Sequence, residues 1–279
     1  MAAGVIDCWV NVNMGELGTP DYIVQTRDRL FKADPSLYRD TSPAETVDMM
    51  DEAGVGKAIV TVKASSPSRH VLSFVEHRPD RFALGAEVDP DAAVRSAKEL
   101  TALAAAHPLV LARVIPFYSG LAPCEPPYYV IYAKCIELGL PVTVNTGIPG
   151  PPAEAACQHP AHLERACLDF PELKLVMAHG ADPWWDLAQR LMLKYSGLYL
   201  MTSAYLPKYL PASLVHFMDR RAPGKVIYAS DHPAIPMARC LEEARALTLG
   251  KEAMDAYLGG NAERLFFKKA EPTPLDRSR

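Results

Sequence analysis

Apolar runs of four to seven residues, rich in β-branched side chains, recur eight times along the chain. Parallel strands that are covered on both faces are apolar throughout, so each run predicts a buried parallel strand. Amphipathic stretches of helical period separate them. The predicted strands cover residues 5–10, 58–62, 82–88, 110–115, 141–145, 173–179, 198–202 and 226–229.

Helix signals lie between these runs. Ser42-Pro43-Ala44-Glu45 combines a capping box with Pro at the first helical position, and Gly54 predicts the end of that helix. Gly139 predicts another helix end just before the fifth strand. Eight alternations with right-handed crossovers predict an α/β fold, a single-domain (β/α)8 TIM barrel over residues 1–267 with a polar tail at 268–279. The sequence contains no G-x-G-x-x-G motif, which would have favoured an open doubly wound sheet.

Composition and charge indicate which kinds of binding partner the protein has. The formal net charge is -4 over 279 residues, and charges of both signs are interspersed, which favours a small-molecule substrate over nucleic acid or a membrane surface. The six cysteines form no C-x-x-C pair and predict reduced thiols. No basic leader or apolar run of about 18 residues occurs, so we expect a cytoplasmic protein.

Polar side chains collect where the predicted strands end, which in a barrel is the face that carries chemistry. The segment 13–40 is long for a first strand-to-helix loop and carries several Tyr, Arg and Lys residues, as specificity loops often do. The strand-end residues are Trp9, Asn11, Lys63, Glu87, Asp89, Arg113, Asn145, His179, Thr202, Ser203, Asp231 and His232.

Four motifs carry a resemblance to a known family. Residues 139–147 (GLPVTVNTG), 175–180 (LVMAHG), 229–233 (ASDHP) and 258–265 (LGGNAERL) resemble the fifth-strand, sixth-strand, eighth-strand and closing-helix motifs of the amidohydrolase-related family, in its amidohydrolase-2 branch. The motifs occur in order and at barrel spacing. The resemblance covers nearly the whole chain, implies the barrel fold and is compatible with a homodimer.

The resemblance also implies five metal ligands: two histidines on strand one, one each on strands five and six, and an aspartate on strand eight. The matching positions here read Trp9, Asn11, Asn145, His179 and Asp231. Indole has no lone pair for a metal, an amide oxygen is a weak zinc ligand, and a catalytic zinc normally keeps three protein ligands. We therefore expect no metal and no cofactor.

Asp231 is the candidate general base. It ends an apolar strand, and partial desolvation would raise its pKa toward the working range. His179 is the second catalytic candidate, as an acid, base or electrophile beside it. The alternatives are that Asp231 is a structural hydrogen-bond partner of His179 and that His179 is a buried histidine with one satisfied bond.

Five further residues are candidates for substrate binding. Asn11 and Asn145 would bind a carbonyl or stabilise an oxyanion, or else form a polar plug. Arg113 would bind a substrate carboxylate, or else pair with Glu87 or Asp89. Trp9 would fill volume or stack on a ring, and Tyr205, after strand seven, would cover the pocket or simply pack. For His159 and His162 we expect a surface role and not a metal site.

Three functions remain open. The first is a metal-independent hydrolase of an activated cyclic ester or lactone, or a related acyl bond, with Asp231 as base and His179 and Asn145 as polarisers. The second is a lyase, decarboxylase, isomerase or cyclase on the same barrel. The third is a catalytically inactive ligand-binding barrel, which a pocket plugged by Trp9 would favour.

Overall fold

The computed structural model describes residues 4–18 and 20–268. All eight predicted strands are present, and they pair in parallel in chain order from β1 to β8. A parallel bridge from Val10 to His232, and an Asn11 N–H that donates to the His232 carbonyl at 2.9 Å, bring the first and last strands together. The strands are β1 Ile6–Asp7, β2 Lys57–Lys63, β3 Phe82–Glu87, β4 Leu109–Val114, β5 Val142–Asn145, β6 Leu175–Ala178, β7 Leu198–Met201 and β8 Val226–Ile227.

Helices connect the strands, as a (β/α)8 barrel requires. The α-helices are α1 Met14–Leu17, α2 Asp21–Gln25, α3 Pro43–Ala53, α4 Arg69–His77, α5 Ala93–Ala106, α6 Pro116–Ser119, α7 Pro126–Leu138, α8 His162–Asp169, α9 Trp185–Lys194, α10 Ala212–His216, α11 Met237–Arg245 and α12 Lys251–Asp255. Short 3-10 turns cover Pro35–Leu37, Pro90–Ala92, Ala156–Gln158 and Pro207–Tyr209, and π-helical turns cover Thr26–Phe31, Phe217–Arg221, Ala256–Gly260 and Glu263–Phe267.

The predicted helix ends are confirmed. The Ser42 hydroxyl accepts a hydrogen bond from the Glu45 N–H at 3.2 Å, and Gly54 closes α3 with a φ of 81°. Gly139 closes α7 with a φ of 67°. Both glycines take the left-handed conformation in which a side chain is strained, which is why the helices stop there. The predicted polar tail lies, from residue 269 onward, outside the described residues.

Two apolar clusters build the core. The larger one packs the helices against the outside of the sheet, and the smaller one fills the barrel interior with side chains such as Ile59, Leu111 and Met201. Trp9 belongs to the interior cluster. In the part of the chain that the structure describes, no helix is long and apolar enough to cross a membrane.

The long first loop is ordered by its own short helices. Its ends meet in an antiparallel bridge between Asn13 and Asp40. Arg27 lies over the Tyr38 ring, 5.6 Å from its centroid. Burial, with the nearby Asp231 carboxylate, raises the pKa of Tyr38 to about 12. The loop therefore reaches the end of strand β8, as expected of a loop that sets specificity.

Candidate active site at the barrel mouth

Asp231 lies just beyond β8, in the left-handed conformation with a φ of 64°. The Asn11 amide donates to its Oδ1 at 3.1 Å and to the His232 carbonyl at 2.8 Å. Burial raises the pKa of the Asp231 carboxyl to about 7, although the Asn11 hydrogen bond and the Arg113 cation act in the opposite direction. Near neutral pH the group therefore populates both its acid and its base form, as proton transfer requires.

His179 follows β6 and is also left-handed, with a φ of 62°. Its backbone N–H donates to the Ser203 hydroxyl at 3.1 Å, while its buried Nδ1 has no partner among the described residues. Burial and the Arg113 cation lower the pKa of His179 to about 3. The imidazole is therefore neutral at pH 7 and acts as a neutral donor or acceptor, since it carries no proton to give as an imidazolium.

Trp9 and Arg113 form the centre of the mouth. The Arg113 guanidinium lies 3.1 Å from the centroid of the Trp9 ring, and the centroid of the His179 ring lies 4.3 Å from it. Arg113 is 2 % exposed and Trp9 5 % exposed. The indole thus contacts both the cation and the imidazole, and its role towards a substrate remains a prediction.

Arg113 is a buried cation without an ion pair. Among the described residues no carboxylate lies within 4.0 Å of it, and its Nε and Nη2 atoms have no hydrogen-bond partner. The predicted alternative, an ion pair with Glu87 or Asp89, is therefore not formed. Burial lowers the pKa of Arg113 to about 9, so the side chain stays charged at pH 7. Leaving such a charge unpaired costs several kcal/mol unless a ligand neutralises it.

Asn145 and Tyr205, the remaining candidate residues, have different surroundings. Asn145 ends β5, is 5 % exposed, and its Oδ1 atom has no partner in the part of the chain that the structure covers. Tyr205 packs edge-on against Trp185, with 5.2 Å between centroids. Its contact with substrate remains a prediction. The structure thus brings Trp9, Arg113 and His179 into contact, and separately joins Asn11 to Asp231.

Asp231 and His179 do not hydrogen-bond each other: Asn11 is the partner of the carboxylate, and Trp9 covers the imidazole. The regular part of strand β1 is shorter than the predicted residues 5–10, since it ends at Asp7, and Trp9 and Asn11 lie beyond it. The positions of both side chains follow instead from their contacts. Sequence alone contained no signal for either contact.

Sequence reasoning missed Asp7, a second buried carboxylate. Its Oδ2 accepts from the Ser230 hydroxyl at 2.6 Å and its Oδ1 from the Ser230 N–H at 2.9 Å. Burial raises the pKa of Asp7 to about 6. Since these bonds fix the residue just before Asp231, Asp7 positions the end of β8. Its place next to two expected ligand positions was a signal that could have found it.

The residues at the mouth do not fit a metal ion. Among the residues that the structure describes, no three His, Cys, Asp or Glu side chains are grouped to hold one. Asn11 directs an N–H donor at Asp231, and the indole and guanidinium occupy the centre of the mouth. Neither an N–H donor nor a cation is a ligand.

The titration of Asp231 predicts a measurable effect on stability. A carboxyl group whose pKa is higher in the folded state stabilises the fold below its unfolded pKa, and that contribution is lost as pH rises through about 7. The substitution Asp231→Asn removes this titrating carboxyl group. We compare the free energy of unfolding of the variant with that of the wild type. The difference, variant minus wild type, should rise by at most about 4 kcal/mol between about pH 4 and pH 8. The limit follows from about 1.36 kcal/mol per pKa unit.

Urea unfolding of both proteins across this range checks the prediction. Burial lowers the pKa of His232 to about 4 and that of His179 to about 3, so both histidines oppose this trend in the wild type. Their contributions cancel in the difference. A difference that is constant with pH would show that Asp231 titrates normally.

Comparison with known proteins agrees with this architecture. An uncharacterised TIM-barrel protein from Bordetella bronchiseptica superposes with a TM-score of 0.78 at 22 % identity, over 94 % of this chain and 97 % of that one. The 5-carboxyvanillate decarboxylase of Sphingomonas paucimobilis gives 0.73 at 18 %, over 95 % and 99 %. A manganese-bound dihydroxybenzoic acid decarboxylase from Polaromonas gives 0.68 at 16 %, over 96 % and 98 %.

At these identities the likeness shows the fold alone. No sequence among the curated proteins matches this chain. The family model for amidohydrolases, in contrast, matches residues 6–268, nearly the whole chain. The chain therefore belongs to the amidohydrolase family, in its amidohydrolase-2 branch.

Proposed function

We propose that this protein is a metal-independent hydrolase that opens an activated cyclic ester, or a related acyl bond, of a small organic anion. The observation that carries the proposal is the Asp231 carboxylate at a strand end of the barrel mouth, which accepts from the Asn11 amide at 3.1 Å and whose pKa burial raises to about 7. A group that is half ionised near neutral pH accepts a proton from water and returns it to the leaving oxygen. His179 and Asn145 polarise the acyl group as neutral partners.

The substrate class follows from energetics. A catalytic zinc lowers the pKa of its water from 15.7 to about 7, worth roughly 12 kcal/mol of hydroxide formation. A carboxylate base recovers about 10²- to 10⁴-fold, a few kcal/mol. Unactivated amides therefore lie outside the reach of Asp231, while lactones and thioesters, whose acyl carbons are already activated, lie within it.

Arg113 favours hydrolysis over decarboxylation. In acyl transfer negative charge grows on the acyl oxygen, and a fixed cation in a site of low dielectric stabilises that oxyanion. In decarboxylation a guanidinium on the departing carboxylate stabilises the ground state, because the carbon dioxide that leaves is neutral. The buried guanidinium has two unpartnered N–H-bearing nitrogens, Nε and Nη2, to offer such an oxygen.

A lyase is the second candidate, for two specific reasons. With a pKa of about 7, Asp231 is also an acid that can protonate a carbon, and decarboxylation needs no attacking water. Two of the similar structures are named as decarboxylases of aromatic acids. The contacts of the buried Trp9 ring with Arg113 and His179 keep an inactive ligand-binding barrel as a third candidate. The left-handed conformation of Asp231 and His179, which costs about 1–3 kcal/mol each, favours a functional site instead.

Turnover in ¹⁸O-water separates the two candidates. A panel of six-membered lactones with and without a ring carboxylate, and a panel of hydroxybenzoates, serve as probes. Hydrolysis predicts one ¹⁸O atom in the product carboxylate of a lactone. Release of carbon dioxide from a hydroxybenzoate, with no turnover of any lactone, would overturn the hydrolase and support the lyase.

A further inference from the structure

Cys124 and His162 form a thiol–imidazole pair outside the site of Asp231. The Cys124 Sγ lies 3.7 Å from the His162 Nδ1, although 38 residues separate them in the chain. Cys124 lies in the loop between α6 and α7, and His162 is the first residue of α8. Both side chains are half-buried. The pair thus joins the loops that follow strands β4 and β5.

The ring of His162 is oriented to accept a proton from the thiol. Its Nε2 lies 2.9 Å from the Ala156 carbonyl oxygen. A carbonyl oxygen only accepts, so Nε2 carries the ring proton and the Nδ1 lone pair of the neutral ring faces the sulfur. The loop that carries Cys124 is fixed as well, because the Tyr132 hydroxyl donates to the Pro123 carbonyl at 2.8 Å.

A groove of about 240 Å³ opens beside His162, whose ring contacts the Cys124 sulfur. His162 and Cys157 line it, together with the acidic Glu154. The Glu125 carboxylate lies at its edge, where it accepts from the N–H of the lining residue Ala122 at 2.6 Å. The lining contains one carboxylate, a second lies at the edge, and no Lys or Arg among the described residues lines the groove, which favours a neutral or cationic ligand over an anionic one.

We propose that Cys124 is a reactive thiol, activated by His162, that exchanges with neutral or cationic low-molecular-weight disulfides bound in this groove. His162 Nδ1 takes the proton of the thiol, and the thiolate attacks one sulfur of the disulfide. The new sulfur–sulfur bond forms as the old one breaks. The departing thiolate takes the proton back from His162, so the small disulfide supplies the only oxidising equivalent.

The other cysteines are poorer nucleophiles, which makes the proposal selective. All six lie within the described residues and are free. Cys8, Cys135 and Cys240 are buried, and burial raises the pKa of each thiol. Burial also raises the pKa of the half-buried Cys167 to about 11, and that of Cys157 above its ordinary value. A thiol with a raised pKa holds less of the reactive thiolate.

Labelling with cystamine, a dicationic disulfide, tests the proposal on the whole folded protein. Intact mass and peptide mapping over time are expected to show one adduct first, on Cys124. The His162→Gln variant should slow that adduct by about tenfold or more relative to Cys167 in the same molecule, because the proton acceptor is lost. The His159→Gln variant is the matched control and should label as the wild type does.

First labelling of Cys157 or Cys167 in the wild type would overturn the proposal. An unchanged ratio of Cys124 to Cys167 labelling in His162→Gln would also overturn it. If His162→Gln folds poorly, the order of labelling in the wild type alone decides between these outcomes. The readout is a mass, and it is therefore independent of any turnover at Asp231.

Discussion

Asp231→Asn is expected to lower turnover by about 10²- to 10⁴-fold, because it removes the carboxylate that we propose as the proton-transfer group, whose pKa burial raises to about 7. Asparagine also tolerates the left-handed conformation found here, with a φ of 64°, so the barrel should fold. The kcat of the variant on the most active lactone measures the effect. Circular dichroism and thermal unfolding confirm the fold.

Asp48→Asn is the matched control, since Asp48 is an exposed carboxylate on helix α3. It should leave kcat unchanged. Wild-type turnover by a folded Asp231→Asn protein would show that the carboxylate has a structural role only.

Arg113→Met should have the second largest effect. It removes the buried cation and keeps an apolar chain that can pack on the Trp9 indole. We expect kcat on the most active lactone to fall by about 10²- to 10³-fold, as when a donor to a developing oxyanion is lost. The free energy of unfolding should not fall, because the guanidinium is buried with no ion pair among the described residues.

The control is Arg95→Met, on the exposed face of α5, where the side chain pairs only with Glu99. This control variant should change neither kcat nor the free energy of unfolding. A large loss of stability in Arg113→Met would mean that the cation holds the barrel together. Unchanged turnover would mean that substrate does not use it.

The fold could be predicted from the sequence because its signals are local. Each strand is an apolar run, and Ser42, Gly54 and Gly139 mark helix ends through their own backbone chemistry. The predicted barrel fold was sufficient to place the strand-end residues at the mouth. Asp231, His179, Arg113 and Asn145 are all found at the mouth or buried at its strand ends for that reason.

The contacts between these residues could not be predicted, because they depend on side-chain packing across the barrel. Nothing near Trp9 in the sequence indicates that Arg113 covers its ring, and nothing near Asp231 indicates that the Asn11 amide presents its N–H. The pair of Cys124 and His162 is a loop–loop contact for the same reason. Sequence spacing carries no information on such pairs unless a motif is known.

The central claim is that Asp231 transfers protons without a metal. The most direct test is the pH profile of kcat/KM on an activated lactone, measured in the continuous presence of a metal chelator. We predict full activity in chelator and a limb with an apparent pKa of about 7 that disappears in Asp231→Asn. Loss of activity in chelator that zinc or manganese restores would contradict it.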